Sequence, residues 1–437
     1  MAASPSLHRR AFPLAIAVGL VSMITFLSDA VCGSQVLSLA GPGILSITYP
    51  LSGVSIGIAA LVQFSSIDHR PRLTILRSVC IGYAALFSIA LALALTGILP
   101  VVTITAVWLI SDQANVLVPV LLWSLAGDVF NTGEGKKVFG WMMGWSFAAQ
   151  ALGLVATMAA PVLLSRMGLP LTAFLIINPL AYLVIAVWIP RAMRGAAVGK
   201  GHPKGVSTRV ALTSAGQFFR DVPAWRALLL STTLGSIAAM TVLIGFGTTG
   251  ESIIGGDAGR LQSYFALTSL IVLLGCGVFQ WLGGDLLNRR VGVAGQFAIL
   301  PSATIIGGLL IAIADSSWSL VLLAIGMTLV DIPRYSIDQN TQHAALTLIP
   351  DQMRARVSLI IDLGRQSLGF VVAGLLALIG TTLGLLWLTG VIACLVGVAA
   401  LVWAIVLMRR WEDSMLNWRL RRRKKGSLDA LHWPGSD

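Results

Sequence analysis

The stretch RAMRGAAVGKGHPKGVSTRVALTSAGQFFRDVPAW, residues 191–225, is the longest polar interruption in an otherwise oily chain. It holds Gly195, Gly199, Gly201 and Pro203, and six basic residues: Arg191, Arg194, Lys200, Lys204, Arg209 and Arg220, with Arg226 just beyond. Glycine, proline and like charges disfavour both a buried core and a spanning helix, so the stretch reads as a linker. A short surface helix is expected around 207–221. The linker lies near the midpoint of the 437 residues. Working outward from it, apolar runs long enough to cross a bilayer recur on both sides. Before it they fall near 12–32, 43–65, 76–98, 101–128, 138–163 and 170–190. After it they fall near 226–248, 263–283, 293–314, 318–345, 357–380 and 385–408. The chain therefore reads as an all-α membrane protein of about 12 transmembrane helices. The expected domains are a first six-helix half over 1–190, a linker over 191–225, a second six-helix half over 226–408 and a basic tail over 409–437.

Composition leads to the same class. The chain is 56% hydrophobic and 11% charged, with a mean hydropathy of +0.86. A soluble domain carries about 25% charged residues. With so little polar surface, lipid is the natural solvent for most of the chain. A membrane β-barrel is disfavoured, because the runs lack ten-residue alternation. Helices satisfy each backbone group within their own segment, as hydrocarbon requires. The N-terminal run from Ala11 follows His8, Arg9 and Arg10 and has no persuasive small-residue cleavage site, so it is expected to stay as the first helix. The four cysteines, Cys32, Cys80, Cys276 and Cys394, sit in apolar runs without metal-ligand spacing and read as small buried hydrophobes.

The net charge of +12 is a topology signal, not a nucleic-acid footprint. With the N-terminus placed in the cytoplasm, 26 of the 30 Lys and Arg residues fall on the cytoplasmic side. Arg166 and Arg260 fall opposite, and Arg334 and Arg365 fall within helices. Both termini are expected in the cytoplasm of a bacterium, with the chain in its inner membrane. The basic tail from Arg409 carries Trp411, Trp418 and Trp433 and suits an anionic leaflet.

The halves carry weak internal symmetry. Gln150-Ala-Leu-Gly153 is echoed by Gln366-Ser-Leu-Gly369, and Asp112 precedes Lys136 much as Asp331 precedes Arg354. Ionisable residues inside lipid cost about 2.5–3.5 kcal/mol each on insertion scales and mark cavities or partners. Here they are Asp29, Asp112, Asp331, Arg334, Asp338, Asp362 and Arg365. Asp331 with Arg334, and Asp362 with Arg365, are three apart and share a helix face; Arg334 and Asp338 extend it. Pro333 opens the local backbone. Asp29 is expected near the outer end of the first helix, within reach of water. Asp29, Asp112, Asp331, Arg334, Asp338, Gln150 and Gln366 are the candidates for binding a solute or a proton. Asp128 is expected to pair with Lys136 or Lys137 in a gate. Gly53 with Gly57, and Gly140 with Gly144, have the small-residue spacing of close helix contacts.

The loop Gly283-Gly-Asp285-Leu-Leu-Asn-Arg289-Arg290-Val-Gly292 resembles the cytoplasmic signature of the major facilitator superfamily. Its first-half counterpart, Asp68-His-Arg70-Pro-Arg72, keeps charges without the glycines. The resemblance implies a twelve-helix transporter with a wet chamber lined by helices 1, 4, 7 and 10. Three of those four carry an acid. It implies gating roles for Asp285, Arg289 and Arg290 beside Asp128, Lys136, Lys137, Asp362 and Arg365. A looser resemblance covers Leu122-Trp123-Ser-Leu-Ala-Gly-Asp128-Val-Phe130 with Lys136, Lys137 and Phe139-Gly140, and Pro350, Arg354, Arg356, Asp362 and Gly369. These look like the ATP/ADP translocase family of nucleotide carriers. That family has basic residues in its early helices, whereas helix 1 here has no Lys or Arg from Ala11 onward.

The expected function is secondary active transport of a small polar or charged solute by alternating access, coupled to protons. Nucleotide exchange is the alternative. A second alternative is a membrane assembly factor that does not transport, as the bacteriochlorophyll-complex assembly proteins resemble transporters. No GxxxxGK[ST] loop and no HExxH occur, and the five His residues do not cluster, so no enzyme activity, metal or cofactor is expected. The expected partners are a solute and the bilayer, with the chain a monomer and no nucleic acid bound.

Overall fold

A computed structural model describes residues 5–66, 72–130, 132–193, 222–282, 284–314, 318–346 and 363–431, with isolated positions at 213, 216, 218–220, 357 and 360–361. Every regular element among them is helical. The first half comprises α1 (Pro5–Ala40), α2 (Leu45–Ser66), α3 (Arg72–Leu95), α4 (Pro100–Val129), α5 (Thr132–Arg166) and α6 (Ile177–Ala192). The second comprises α7 (Pro223–Ile254), α8 (Ala258–Leu282), α9 (Ile299–Ala312), α10, α11 and α12 (Trp387–Leu431). Helix α10 runs over Ser319–Pro333, widens into a π turn at Arg334–Asp338, and resumes over Gln339–Leu346. Helix α11 opens on a second π turn, Leu363–Leu368, and continues over Gly369–Thr382.

Eleven of these helices are long and apolar enough to cross a membrane, or 12 if the pair Arg290–Gln296 and Ile299–Ala312, bent by 73°, is one span. The bend follows Gly292, whose φ of 67° suits glycine. Helix starts follow local chemistry. Pro100 and Pro223 open α4 and α7, where a missing N–H costs nothing. Gly255, left-handed at φ 76°, closes α7 by donating its N–H to the Glu251 carbonyl. The linker falls between α6 and α7, and most of it, including the helix expected at 207–221, lies outside the described residues. Residues 409–431 continue α12 as helix.

The symmetry that was faint in the sequence is plain in the packing. In the first half α1 packs on α4 and α5, and α3 packs on α4 and α6. In the second half α7 packs on α10 and α11, and α9 packs on α10 and α12. Each pair maps onto its mate by adding six to the helix number. The contacts between halves obey the same rule, for α2 meets α11 and α5 meets α8. Parallel repeats of this kind place a shared interface along the bundle axis.

The α2–α11 seam is built on small residues. A Cβ on Gly53 would stand 2.6 Å from the Ser367 carbonyl oxygen, and one on Gly374 would stand 2.2 Å from Pro50 Cδ. The Ser367 hydroxyl donates to the Gly53 carbonyl at 2.7 Å, and Ser46 and Thr381 hydroxyls meet at 3.2 Å. Gly140 and Gly144 differ from expectation. Both lie on an exposed face of α5, and a Cβ there would meet nothing within 4 Å. Spacing alone cannot tell a packed glycine face from a bare one.

The halves also meet at the end of the bundle away from the two termini. There Gln262 donates to the Thr157 carbonyl at 2.8 Å, and Ser38 donates to the Gly256 carbonyl. Leu37 and Leu45 press on Gly247.

Candidate functional site

Charged side chains from both halves converge around the interface, midway along the spans. From the first half come Asp29 on α1 and Asp112 on α4. From the second come Asp331 and Arg334 on α10, Asp338 in its π turn, and Arg365 in the π turn of α11.

Asp29 does not reach water at a helix end. Helix α1 runs on to Ala40, so Asp29 lies eleven residues inside it, and its Oδ1 is buried with no hydrogen-bond partner. Ser34 and Gln35, just beyond the run expected over 12–32, are buried in the protein. Asp29 faces the Trp108 indole of α4. One helical turn on from Trp108, Asp112 accepts a hydrogen bond from the Ser52 hydroxyl of α2. The Asp29 and Asp112 charges repel one another, and the Arg334 guanidinium attracts Asp29 across the interface. Among the described residues no cation lies within ion-pair distance of either acid.

The second half satisfies its acids differently. Arg334 Nη1 lies 3.4 Å from Asp331 Oδ1, and its guanidinium stacks over the Tyr335 ring at 5.0 Å. Its other nitrogen faces the Met240 sulfur of α7 at 3.9 Å. Arg334 and Asp338 do not pair. Asp338, only 3% exposed, takes Arg365 at 3.5 Å. Arg365 is therefore tied to the middle of α10. Asp362, its expected neighbour, lies outside the described residues.

Pro333 explains the local backbone. It has no N–H to give the preceding turn, and the helix widens into five π-helical residues directly after it. Side chains brace the turn. The Ile332 carbonyl accepts from the Ser336 hydroxyl, with the Cys276 thiol 3.9 Å away. The Ser336 carbonyl accepts from Asn340 at 2.7 Å. The second π turn is anchored by the Ser236 hydroxyl, which donates to the Arg365 carbonyl at 2.5 Å.

An aromatic layer lies against the charges. Tyr49 of α2 stacks on Phe370 of α11 with ring centroids 5.3 Å apart and planes at 10°. It meets Trp108 edge-on at 5.7 Å. Sequence reasoning missed Tyr49, Ser52, Trp108, Tyr335 and Phe370. Only Trp108, four residues before Asp112, and Tyr335, next to Arg334, carried a signal in their spacing.

The remaining candidates lie apart. Gln150 donates to Ser146 at 3.1 Å on its own helix, and Ser146 meets Ser22 of α1 at 2.7 Å. Gln366 is half-buried in the second π turn. Asp128 has a partner other than the one expected. It pairs with Arg72 of α3 at 2.5 Å, and Arg72 also donates to the Ser124 carbonyl at 3.1 Å. Nearby Arg10 pairs with Glu134 at 3.2 Å. The side chains of Lys136, Lys137, Asp285 and Arg289 lie outside the described residues, and Arg290 is exposed. No cluster of metal-ligating side chains occurs among the described residues.

No protein-family profile matches the chain, and no curated protein does. Solved structures do match in fold. A POT family transporter in complex with a thioalcohol-conjugated peptide superposes with a TM-score of 0.65 at 13% identity, over 92% of this chain and 96% of that one. The nucleoside transporter NupG gives 0.63 at 14% identity, over 91% and 99%. A bacterial homologue of the human lysosomal transporter Spinster gives 0.53 at 16% identity, over 94% and 98%. Agreement over nine-tenths of both chains with so few shared residues is agreement of architecture: this chain has the fold of the major facilitator superfamily transporters.

Proposed function

We propose that the protein is a secondary active transporter of a small polar or charged solute, working by alternating access and coupled to protons. The observation that carries this is the placement of charge. Acids on α1, α4 and α10 sit at the interface between the two halves, and among the described residues none forms an ion pair with the other half. With no such pair spanning the interface, the halves are free to rock. The seam that joins them is glycine, serine and proline, which permits sliding of close-packed helices. Neighbours of like fold include transporters named for nucleosides and peptides, which supports the class and leaves the solute open.

Asp29 and Asp112 are the proton carriers in this account. The groups that face them are Ser52, Tyr49, Trp108, Cys32, Tyr335 and Arg334. Neither acid has a cationic partner within ion-pair distance among the described residues, so either can take up a proton without breaking an ion pair. A proton on either acid relieves the repulsion and alters the pull on Arg334. That change gives the two halves a reason to shift relative to one another. Asp128 with Arg72, and Arg10 with Glu134, brace the first half at the end carrying the termini, placed here in the cytoplasm of a bacterial inner membrane. In this account the linker at 191–225 tethers the halves while they move, and the chain works as a monomer.

The test uses full-length protein in proteoliposomes on a solid-supported membrane. Charge movement is recorded on adding dipeptides, nucleosides, organic cations or nucleotides under an imposed pH gradient. One class should give a current that Asp112→Asn cuts at least tenfold. Nucleotide currents from vesicles preloaded with ADP, without a pH gradient, would favour exchange instead. No current from any class would sink transport and favour an assembly role.

A further inference from the structure

We propose that Asp29, with Trp108, Tyr49 and Tyr335, forms a subsite for an organic cation, an amine or quaternary ammonium group on an apolar body. This rests on the transport reading and names the solute class that the same site selects.

The argument begins with charge. Four carboxyls, Asp29, Asp112, Asp331 and Asp338, share the site with two guanidinium groups, Arg334 and Arg365. Both arginines are committed by ion pairs to second-half acids, Arg334 to Asp331 at 3.4 Å and Arg365 to Asp338 at 3.5 Å. Both surplus acids belong to the first half. The site therefore carries more negative charge than it neutralises. With one of the two first-half acids protonated, an anionic solute would still meet an unpaired carboxylate, while a cation would supply the missing partner.

The second argument is an unmet valence. Asp112 has the Ser52 hydroxyl, whereas Asp29 faces the Trp108 indole and its Oδ1 is buried without a hydrogen-bond partner among the described residues. Buried carboxylate oxygens are rarely left bare, because the desolvation cost is then uncompensated. A solute that brings a positive group to Oδ1 would satisfy it.

The third argument concerns the walls. Trp108, beside Asp29, meets Tyr49 at 5.7 Å, and Tyr49 stacks on Phe370 at 5.3 Å. Across the interface the Tyr335 ring already holds the Arg334 guanidinium against its face at 5.0 Å. Aromatic faces attract cations through their quadrupole, most strongly where water is excluded, and they pack equally well on an apolar body. An acid beside such faces discriminates by charge first and shape second.

Three probes with one ring and different charge test this: benzyltrimethylammonium, benzyl alcohol and benzoate. Their binding to purified full-length protein in detergent is measured by calorimetry, and their currents by the proteoliposome assay. Benzyltrimethylammonium should bind saturably and at least tenfold more tightly than the other two. Asp29→Asn should weaken it tenfold or more and Trp108→Leu several-fold. Asp29→Glu should keep most of the affinity, and the exposed Asp257→Asn should leave it unchanged. Benzoate binding as tightly as the cation, binding of none of the three, or full affinity in Asp29→Asn would overturn the proposal. Failure of cation binding beside a robust current from an anion or neutral solute sinks the cation site alone. Saturable cation binding without any pH-driven current sinks the transport reading and leaves the site standing.

Discussion

The two halves share one packing pattern and handle buried charge in opposite ways. In the first half, Asp29 and Asp112 have neutral polar neighbours, the Trp108 indole and the Ser52 hydroxyl. In the second, Asp331 and Asp338 are held by guanidinium groups across two π turns. A neutral donor supports an acid in either protonation state. A guanidinium supports only the carboxylate, and once that pair is buried, losing either member leaves a charge stranded. On this comparison the first half is built to change its charge and the second to keep it.

The largest expected effect breaks the second half. Asp338 has a side chain only 5% exposed, and Arg365 is its ion-pair partner. Arg365→Ala should cost about 3–5 kcal/mol, the usual penalty for stranding a buried charge. The thermal midpoint of purified protein should fall steeply. The double variant Asp338→Asn with Arg365→Gln should recover much of the loss. If Arg365→Ala alone left the midpoint unmoved, the second half would not be a fixed charge frame.

The next effect has the opposite sign on stability. Asp29→Asn and Asp112→Asn each remove a half-buried carboxyl that, among the described residues, has no cationic partner within ion-pair distance. Each should leave the thermal midpoint unchanged or raise it, while cutting pH-driven current by a factor on the order of ten, equivalent to about 1.4 kcal/mol. Destabilisation by several degrees with transport intact would reverse the roles assigned to the halves.

How much of this could be read from the chain follows from what makes a residue anomalous. A charge within an apolar run is visible without any structure, so Asp112, Asp331, Arg334, Asp338 and Arg365 stand out at once. Their partners do not. Asp338 and Arg365 are 27 residues apart on different helices, whereas the sequence offered the nearer pairs at spacings of three and four. Asp29 was expected near a helix end because the apolar run was ended near 32, and hydropathy cannot register that other helices bury Ser34 and Gln35 beyond it. Tyr49 and Phe370 were invisible for the reverse reason, since an aromatic residue in an apolar helix is ordinary until its neighbours are known. The fold was legible because it depends on twelve long averages and one linker. The site was only partly legible because it depends on single contacts between helices.

A smaller effect probes the seam at which the two halves must move. Gly374 on α11 faces Pro50 on α2, and an added Cβ would stand 2.2 Å from Pro50 Cδ and 3.2 Å from its nitrogen. A pyrrolidine ring cannot swing aside as a flexible side chain would, so the helices must separate. Gly374→Ala should cost about 1–3 kcal/mol, as overpacking of a close contact does. Gly144→Ala is the matched comparison: its Cβ would meet open space, and replacing glycine inside a helix gains up to about 1 kcal/mol. Thermal midpoints should therefore move in opposite directions. Transport should fall in Gly374→Ala alone, because only that glycine lies where one half slides against the other. Equal behaviour of the two variants would mean that the α2–α11 contact is passive packing, and the pivot would have to be sought at the α5–α8 contact instead.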